Sequence, residues 1–281
     1  MSAMSPDTGI TSLGECHYPS PLRLAARGAD DVWAFTGDAQ CVRGDVNVPP
    51  VQTERLFEKA GPRESLYFDP RKARAAIVTC GGLCPGLNNV IRSATLECCR
   101  NYGLSQVFGV RFGYQGLGPD GEPFAVLTPE VVEGIDRLGG TILGSSRGSP
   151  ETAVMVDCLQ KHGINILLCV GGDGTQRGAY RLHEEIVRRG LKIAVVGIPK
   201  TIDNDIQWCD QTFGFFTAAD CAKQVITSAH VEAKGARNGI ALVKLMGRDS
   251  GFVAAGATLA SGEVNFTLIP EQRFALRGET V

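Results

Sequence analysis

The sequence predicts an α/β protein organised around doubly wound parallel sheets, and three observations carry that expectation. Short apolar runs recur at 75–80, 106–110, 164–170, 192–198 and 239–246; most of them run into glycine-rich turns; and helical periodicity follows, as over 88–100, 152–162 and 252–259. Strands that alternate with helices in this way form parallel sheets covered by helices. At 281 residues the chain exceeds one average domain, which favours two lobes or one large α/β unit, and 43% apolar residues suffice for a core.

A formal charge of −2 excludes the polycationic surface that nucleic acid or an anionic membrane requires, so any phosphate must be held locally. No apolar run approaches the roughly 20 residues that span a bilayer. The expectation is a soluble, cytoplasmic protein, with a plastid as the alternative. The 35 glycines are scattered and aperiodic, as strand-to-helix loops require. Ten cysteines without zinc-ribbon spacing, and no visible secretory signal, point to reduced thiols. Cys158, Cys169 and Cys221 stand among apolar neighbours and are expected in the core. The histidines, His17, His162, His183 and His230, are dispersed and make no metal cluster.

Residues 1–70 show little periodicity and read as an extension that partly wraps the core. Met1–Arg27 is short of arginine and carries Asp7 and Glu15, against a transit peptide. From Arg74 the pattern changes. Strand Ala75–Cys80 leads into Gly81-Gly-Leu-Cys-Pro-Gly-Leu-Asn88 and a helix to Arg100. Glycines there let backbone N–H groups approach an anion, and the helix N-terminus adds a favourable partial charge. Neither a Walker A ending nor the dinucleotide fingerprint is present. Strand Gln106–Val110 precedes Gly113-Tyr-Gln-Gly-Leu117. In the loop Gly139–Gly148, Arg147 suits the grip of a phosphate, an ordinary surface arginine being the plainer reading. Helix Thr152–His162 and the buried strand Ile164–Val170 lead to Gly171-Gly-Asp-Gly-Thr175 and a helix to about Arg189. Asp173, at the carboxyl end of a parallel strand, is well placed to meet Mg²⁺ on a phosphate.

The buried-looking strand Lys192–Ile198 is broken by Pro199, and Lys200-Thr-Ile-Asp-Asn-Asp205 follows. If this stretch stays extended, Thr201, Asp203 and Asp205 share one face, with Ile202, Asn204 and Ile206 on the other. A carboxylate so placed could take a proton from a substrate hydroxyl or hold a divalent cation. A loop of local turns that caps the next helix is the plainer alternative. A helix within Gln211–Val231, strand Gly239–Met246 ending in Gly247-Arg-Asp-Ser-Gly251, helix Phe252–Leu259 and strand Val264–Ile269 complete the pattern.

Taken together, Gly81–Asn88, Gly171–Thr175, Pro199–Asp205 and Met246–Gly251 resemble the phosphofructokinase family, especially its plant-like ATP-dependent branch, over about Tyr67–Glu271. Gly171–Thr175 alone also fits NAD kinases and lipid kinases; Pro199–Asp205 separates them. The resemblance implies a Rossmann-like fold with an N-terminal extension (1–70), a nucleotide-binding lobe (71–230) and only the start of a substrate-binding lobe (231–281). It implies transfer of the ATP γ-phosphoryl group to the 1-hydroxyl of fructose 6-phosphate, a glycolytic step that requires Mg²⁺. Asp203 falls at the catalytic base, Thr201 at a substrate-contacting hydroxyl, Asp173 at the metal carboxylate and Asp205 near the metal's water shell. Gly82, Arg147, Gly148, Gly172, Gly174, Thr175 and Lys200 fall at donor positions. Met246, Gly247 and Arg248 fall at contacts to the sugar phosphate, and Arg248 joins the catalytic group. A homo-oligomer, a tetramer in the family, is implied, with neither nucleic acid nor membrane as partner.

Donor choice rests on two positions. Family members that use pyrophosphate usually carry Asp where this chain has Gly174, and that carboxylate would clash with a nucleotide's α-phosphate. Lys200 accompanies pyrophosphate use in some members, but the plant-like branch combines this glycine with this lysine and uses ATP. Two departures stand out. The family's arginine donated across a subunit interface aligns with Gly239, two residues from Arg237. The sequence also stops at Val281, ahead of the family's sugar-contacting glutamate and the His/Arg segment for the 6-phosphate. The competing class is therefore a short, non-catalytic nucleotide-binding or regulatory paralogue. Joint retention of Asp173, Thr201, Asp203 and Arg248 favours the kinase.

Overall fold

The structure, a computed structural model, describes residues 8–24, 34–44 and 56–275. The first seven residues and Ala25–Arg27 of the stretch weighed as a transit peptide lie outside the described residues, as does the end of the sequence from 276. The N-terminal part forms two small antiparallel ribbons that the sequence did not announce. Strand β1 (Tyr18–Pro19) pairs with β4 (Ser65–Leu66), and β2 (Cys41–Arg43) pairs with β3 (Leu56–Glu58). The Arg63 guanidinium ties them by donating to Thr36 O at 2.9 Å and Lys59 O at 2.8 Å. One contact joins this part to the rest of the chain where Lys192 Nζ donates to Leu13 O at 2.8 Å.

The main sheet has the order β7-β6-β5-β8-β9. Its strands are β5 (Arg74–Thr79), β6 (Gln106–Val110), β7 (Ala125–Val126), β8 (Ile166–Gly171) and β9 (Ala194–Pro199). All pairings are parallel except β6 with β7. The helices are α1 (Leu87–Leu96), α2 (Thr152–Lys161), α3 (Asp173–Arg188), α4 (Phe215–Gly235) and α5 (Phe252–Ser261). Helix α1 continues into a π-helical turn over Glu97–Asn101, which accounts for the expected length to Arg100.

Alternation along β5 explains why helices cover both faces. Ala75 and Ile77 pack with Leu87 and Ile91 of α1, while Ala76 and Val78 pack with Leu159 of α2 and Leu182 and Ile186 of α3. Each is fully or almost fully withdrawn from solvent. Since β5 has β6 on one side and β8 on the other, the loops leaving β5 and β8 diverge at the carboxyl edge. That is the switch point where open α/β sheets hold ligands.

Four expectations need correction. The segments 239–246 and 264–269 are not strands, because no neighbouring strand among the described residues offers them hydrogen bonds. Val243, Leu245 and Val264 pack on a small cluster of Ala222, Ile226 and Ala257, while Ile240 is 93% and Leu242 90% exposed. Among the described residues β9 is an edge strand, and Val196 and Gly197 are exposed rather than buried. Cys221 lies on the outer face of α4, although Cys169 is buried as expected and Cys158 half-buried. All ten cysteines are free thiols. Burial pushes the Cys169 thiol up to about 12 and the Cys80 thiol up to about 11.

Candidate active site

Loops after β5, β8 and β9 converge at one end of the sheet. Gly81 adopts φ 81° and donates its N–H to Ser146 O at 3.1 Å, while Ser145 Oγ donates to Gly81 O at 2.6 Å. These bonds hold the glycine loop against the loop that carries Arg147. Together Gly81, Gly82, Gly139, Thr141, Ser145 and Arg147 line an open cleft of about 580 Å³. Arg147 points to solvent, its carbonyl held by Gln115 Nε2 at 3.2 Å. Gly148 is exposed, and a Cβ there would meet nothing within 4 Å.

Gly172 caps α3 in an extended conformation, and Thr175 N and Gln176 N both donate to its carbonyl. Gly171 must lack a Cβ, which would overlap the Thr175 side chain. Thr175 is buried and its carbonyl accepts the Tyr114 hydroxyl at 2.9 Å. Asp173 opens the helix with a side chain 76% exposed, its nearest ion-pair partner being Arg177 at 3.8 Å. Gly174 has open space around it, with nothing within 4 Å of an added Cβ.

Lys200 is buried, 7% exposed, and straps these loops together. Its Nζ donates to Gly82 O at 2.6 Å and its N–H to Gly171 O at 3.0 Å. Burial lowers its pKa, opposed by Cys84, Cys80 and Asp203 nearby.

The stretch 201–205 is not extended, contrary to the alternation expected from a strand. Asn204 takes the left-handed conformation at φ 55°. Its Oδ1 accepts from Thr212 N at 2.8 Å, and Thr212 Oγ1, 3.1 Å from that oxygen, donates to Thr201 O at 2.7 Å. The turn nevertheless brings the predicted groups together: Thr201 Oγ1 donates to Asp205 Oδ1 at 2.6 Å and accepts from Asp203 N at 3.1 Å. The plainer reading is thus correct about the local turns but not about capping, since the next helix, α4, is capped by Gly214 without a side-chain bond. Asp203 Oδ1, however, is buried without a hydrogen-bond partner. Desolvation, and then the Asp205 carboxylate, raise the Asp203 pKa; Arg248, Lys200 and the Arg248 backbone N–H act in the opposite direction. A carboxylate of this kind is suited to accept a proton from a ligand rather than to stabilise the fold.

From the C-terminal region, Met246 and Arg248 are exposed and Gly247 adopts φ 136° beside them. Asp173 stands on α3, after β8, and Asp203 on the loop after β9, so neighbouring strands deliver the two carboxylates. A side chain at Gly239 would overlap the Ala233 carbonyl, so this backbone does not admit an arginine there. Sequence reasoning missed Gln176, Thr212 and Ser250. Gln176 Nε2 bonds Gly171 O at 2.8 Å and Ile198 O at 3.2 Å, joining the ends of β8 and β9. Only tertiary contact reveals these roles.

A doubly wound sheet with glycine loops at its switch point, and a half-buried carboxylate on the loop after the adjoining strand β9, is an α/β arrangement suited to handling phosphate. The family signature described as Phosphofructokinase matches residues 74–280, and the chain belongs to that family. It is 49% identical over 279 residues to the ATP-dependent 6-phosphofructokinase of Borreliella burgdorferi, covering 97% of this chain and 62% of that one. It is 52% identical to the enzyme so named in Entamoeba histolytica, covering 76% of this chain and 49% of that one. For the chloroplastic ATP-dependent 6-phosphofructokinase 5 of Arabidopsis thaliana the identity is 48%, over 85% of this chain and 44% of that one. The chain thus spans about half the length of the curated relatives it matches. Among solved structures, phosphofructokinase from Saccharomyces cerevisiae superposes with a TM-score of 0.57 at 26% identity, over 68% of this chain and 28% of that one. Among the described residues no helix is long and apolar enough to cross a membrane.

Proposed function

We infer that the protein is an ATP-dependent 6-phosphofructokinase, transferring the γ-phosphoryl group of ATP to the 1-hydroxyl of fructose 6-phosphate. The observation that carries this reading is Asp203, whose carboxylate has one oxygen withdrawn from water and without a partner, with Lys200 and Arg248 nearby. Phosphoryl transfer requires in-line positioning, cationic groups on developing charge and a base aimed at the incoming hydroxyl. Asp203 takes the proton, Thr201 contacts the acceptor, Asp205 lies near the metal's water shell, and Arg248, with Met246 and Gly247, holds the sugar phosphate. On the donor side, Gly82, Arg147, Gly148, Gly172, Gly174 and Thr175 surround the nucleotide phosphates, and Lys200 fixes the loops that do so.

Asp173 fits Mg²⁺. It is an exposed carboxylate engaged only by a loose ion pair, and among the described residues no cluster of three or more acidic, histidine or cysteine side chains forms a cage. Mg²⁺ is commonly held in this way, by one carboxylate together with substrate phosphates whose charge it neutralises. Open space at Gly174 supports ATP over pyrophosphate, as do the names of the relatives. We further assign 71–230 to the nucleotide lobe, 231–281 to the start of the sugar lobe, and the active species to a homo-oligomer. The test is formation of fructose 1,6-bisphosphate by the purified chain with Mg²⁺, run in parallel with ATP and with pyrophosphate. Product with ATP alone is expected; folded protein that binds ATP but forms no product with either donor would overturn the reading in favour of a non-catalytic nucleotide binder.

A further inference from the structure

We propose that Ser250 is a positioning residue that ties the loop carrying Arg248 to the backbone of Asp203, so that the base and the sugar-phosphate contact are held as one unit. The role assigned to each loop rests on the phosphofructokinase reading above; the coupling between them rests on geometry.

Ser250 is buried, 7% exposed, and its Oγ donates to Asp203 O at 3.1 Å across 47 residues of sequence. The same oxygen accepts from Phe252 N at 3.4 Å, so the hydroxyl is oriented by the first residue of α5. Gly251 N donates to Glu271 Oε1 at 2.7 Å, which fixes Ser250 from the opposite side. The backbone packs closely on either side of Ser250. A Cβ on Gly247 would overlap the Ser250 carbonyl, and one on Gly251 would overlap Ile269. The peptide of Asp203 is thereby held at both ends, its N–H by Thr201 Oγ1 and its C=O by Ser250 Oγ. The Arg248 loop also faces the Asp203 carboxylate, and its charge favours the ionised form of that carboxylate. Ser250 Oγ is thus a direct side-chain bond between the two loops, made to the backbone and independent of what the Asp203 carboxylate binds. Its loss costs one buried hydrogen bond and leaves the Asp203 carbonyl unsatisfied.

Amide hydrogen exchange on the full 281-residue chain tests the coupling whether or not the chain turns over. Ser250→Ala removes the hydroxyl, Ser250→Cys keeps the volume with a weak donor, and Ser250→Thr keeps the hydroxyl. In the Ala and Cys variants, peptides over 200–206 and 247–252 are expected to exchange about tenfold faster, with those of β5 and β8 unchanged. Wild-type exchange in the Cys variant would show that volume rather than the hydroxyl matters, and would overturn the proposal. If the Ala variant loosens throughout, Cys against Thr decides, slower local exchange in Thr being expected and equal exchange overturning it. In turnover with ATP, Ala and Cys are expected to lower kcat about tenfold with KM for ATP within about twofold, because the ATP cleft does not touch Ser250. A raised KM for ATP at unchanged kcat would overturn it. Absence of product from the wild-type chain would count against the kinase reading, while the exchange comparison would still decide the coupling.

Discussion

The β5–β9 sheet and the segment from 236 to 275 are written in similar sequence, apolar runs punctuated by glycine, yet only the first is bonded into a sheet. Ile77 and Leu167 have no exposed surface, whereas Ile240 and Leu242 are at 93% and 90%. An apolar run becomes a strand only where a neighbour supplies hydrogen bonds for its backbone. The candidate site draws on both regions: the ordered sheet edge provides the glycine loops and Asp203, and the looser segment provides Arg248 and Ser250.

Asp203 lies where the regions meet, so Asp203→Asn is expected to have the largest consequence, lowering turnover by roughly 10²- to 10⁴-fold, the range of a positioned base. Near-normal kcat in that variant would remove Asp203 from the role. Stability separates the regions next. Leu167→Ala should cost about 2–5 kcal/mol in denaturant unfolding, and Leu242→Ala should stay within about 0.5 kcal/mol. Comparable losses would mean that 239–246 is as firmly packed as the sheet. Gly174→Asp is expected to raise KM for ATP about tenfold while leaving the melting temperature unchanged, since the added side chain enters open space. An unchanged KM would move donor choice elsewhere.

The smallest effect concerns pH. Because the folded-state pKa of Asp203 is raised, the folded chain holds this proton more tightly than the unfolded one. Stability therefore falls as pH rises from the ordinary aspartate value through the raised one. Asp203→Asn should lack that loss and be slightly more stable than wild type at neutral pH. The acid limb of kcat should likewise lie above the ordinary aspartate range. A pH–melting curve parallel to that of wild type would contradict the first expectation.

The sheet was legible where the sequence pattern matched its physical cause. Gln106–Val110 is a strand at the bounds the apolar run suggested, and Pro199 ends β9 because it has no N–H to continue a ladder. The glycine-rich turn after β8 was legible too, since a Cβ on Gly171 would overlap the Thr175 side chain. The conformation of 201–205 was not. It depends on Asn204 adopting a positive φ and on Thr212, eight positions on, closing the turn. Cys221 shows a second limit, because apolar neighbours in sequence lie a third of a helical turn apart and need not share its face. Ser250 is a third, its partner being visible only after the chain has folded.

The position of β9 at the edge of the sheet has a consequence for handling the protein. No strand among the described residues covers its outer side, and Val196 there is 44% exposed. An open β-edge is a template onto which another chain can add. Self-association of warmed or concentrated protein is therefore expected at the strand that leads into Lys200 and Asp203.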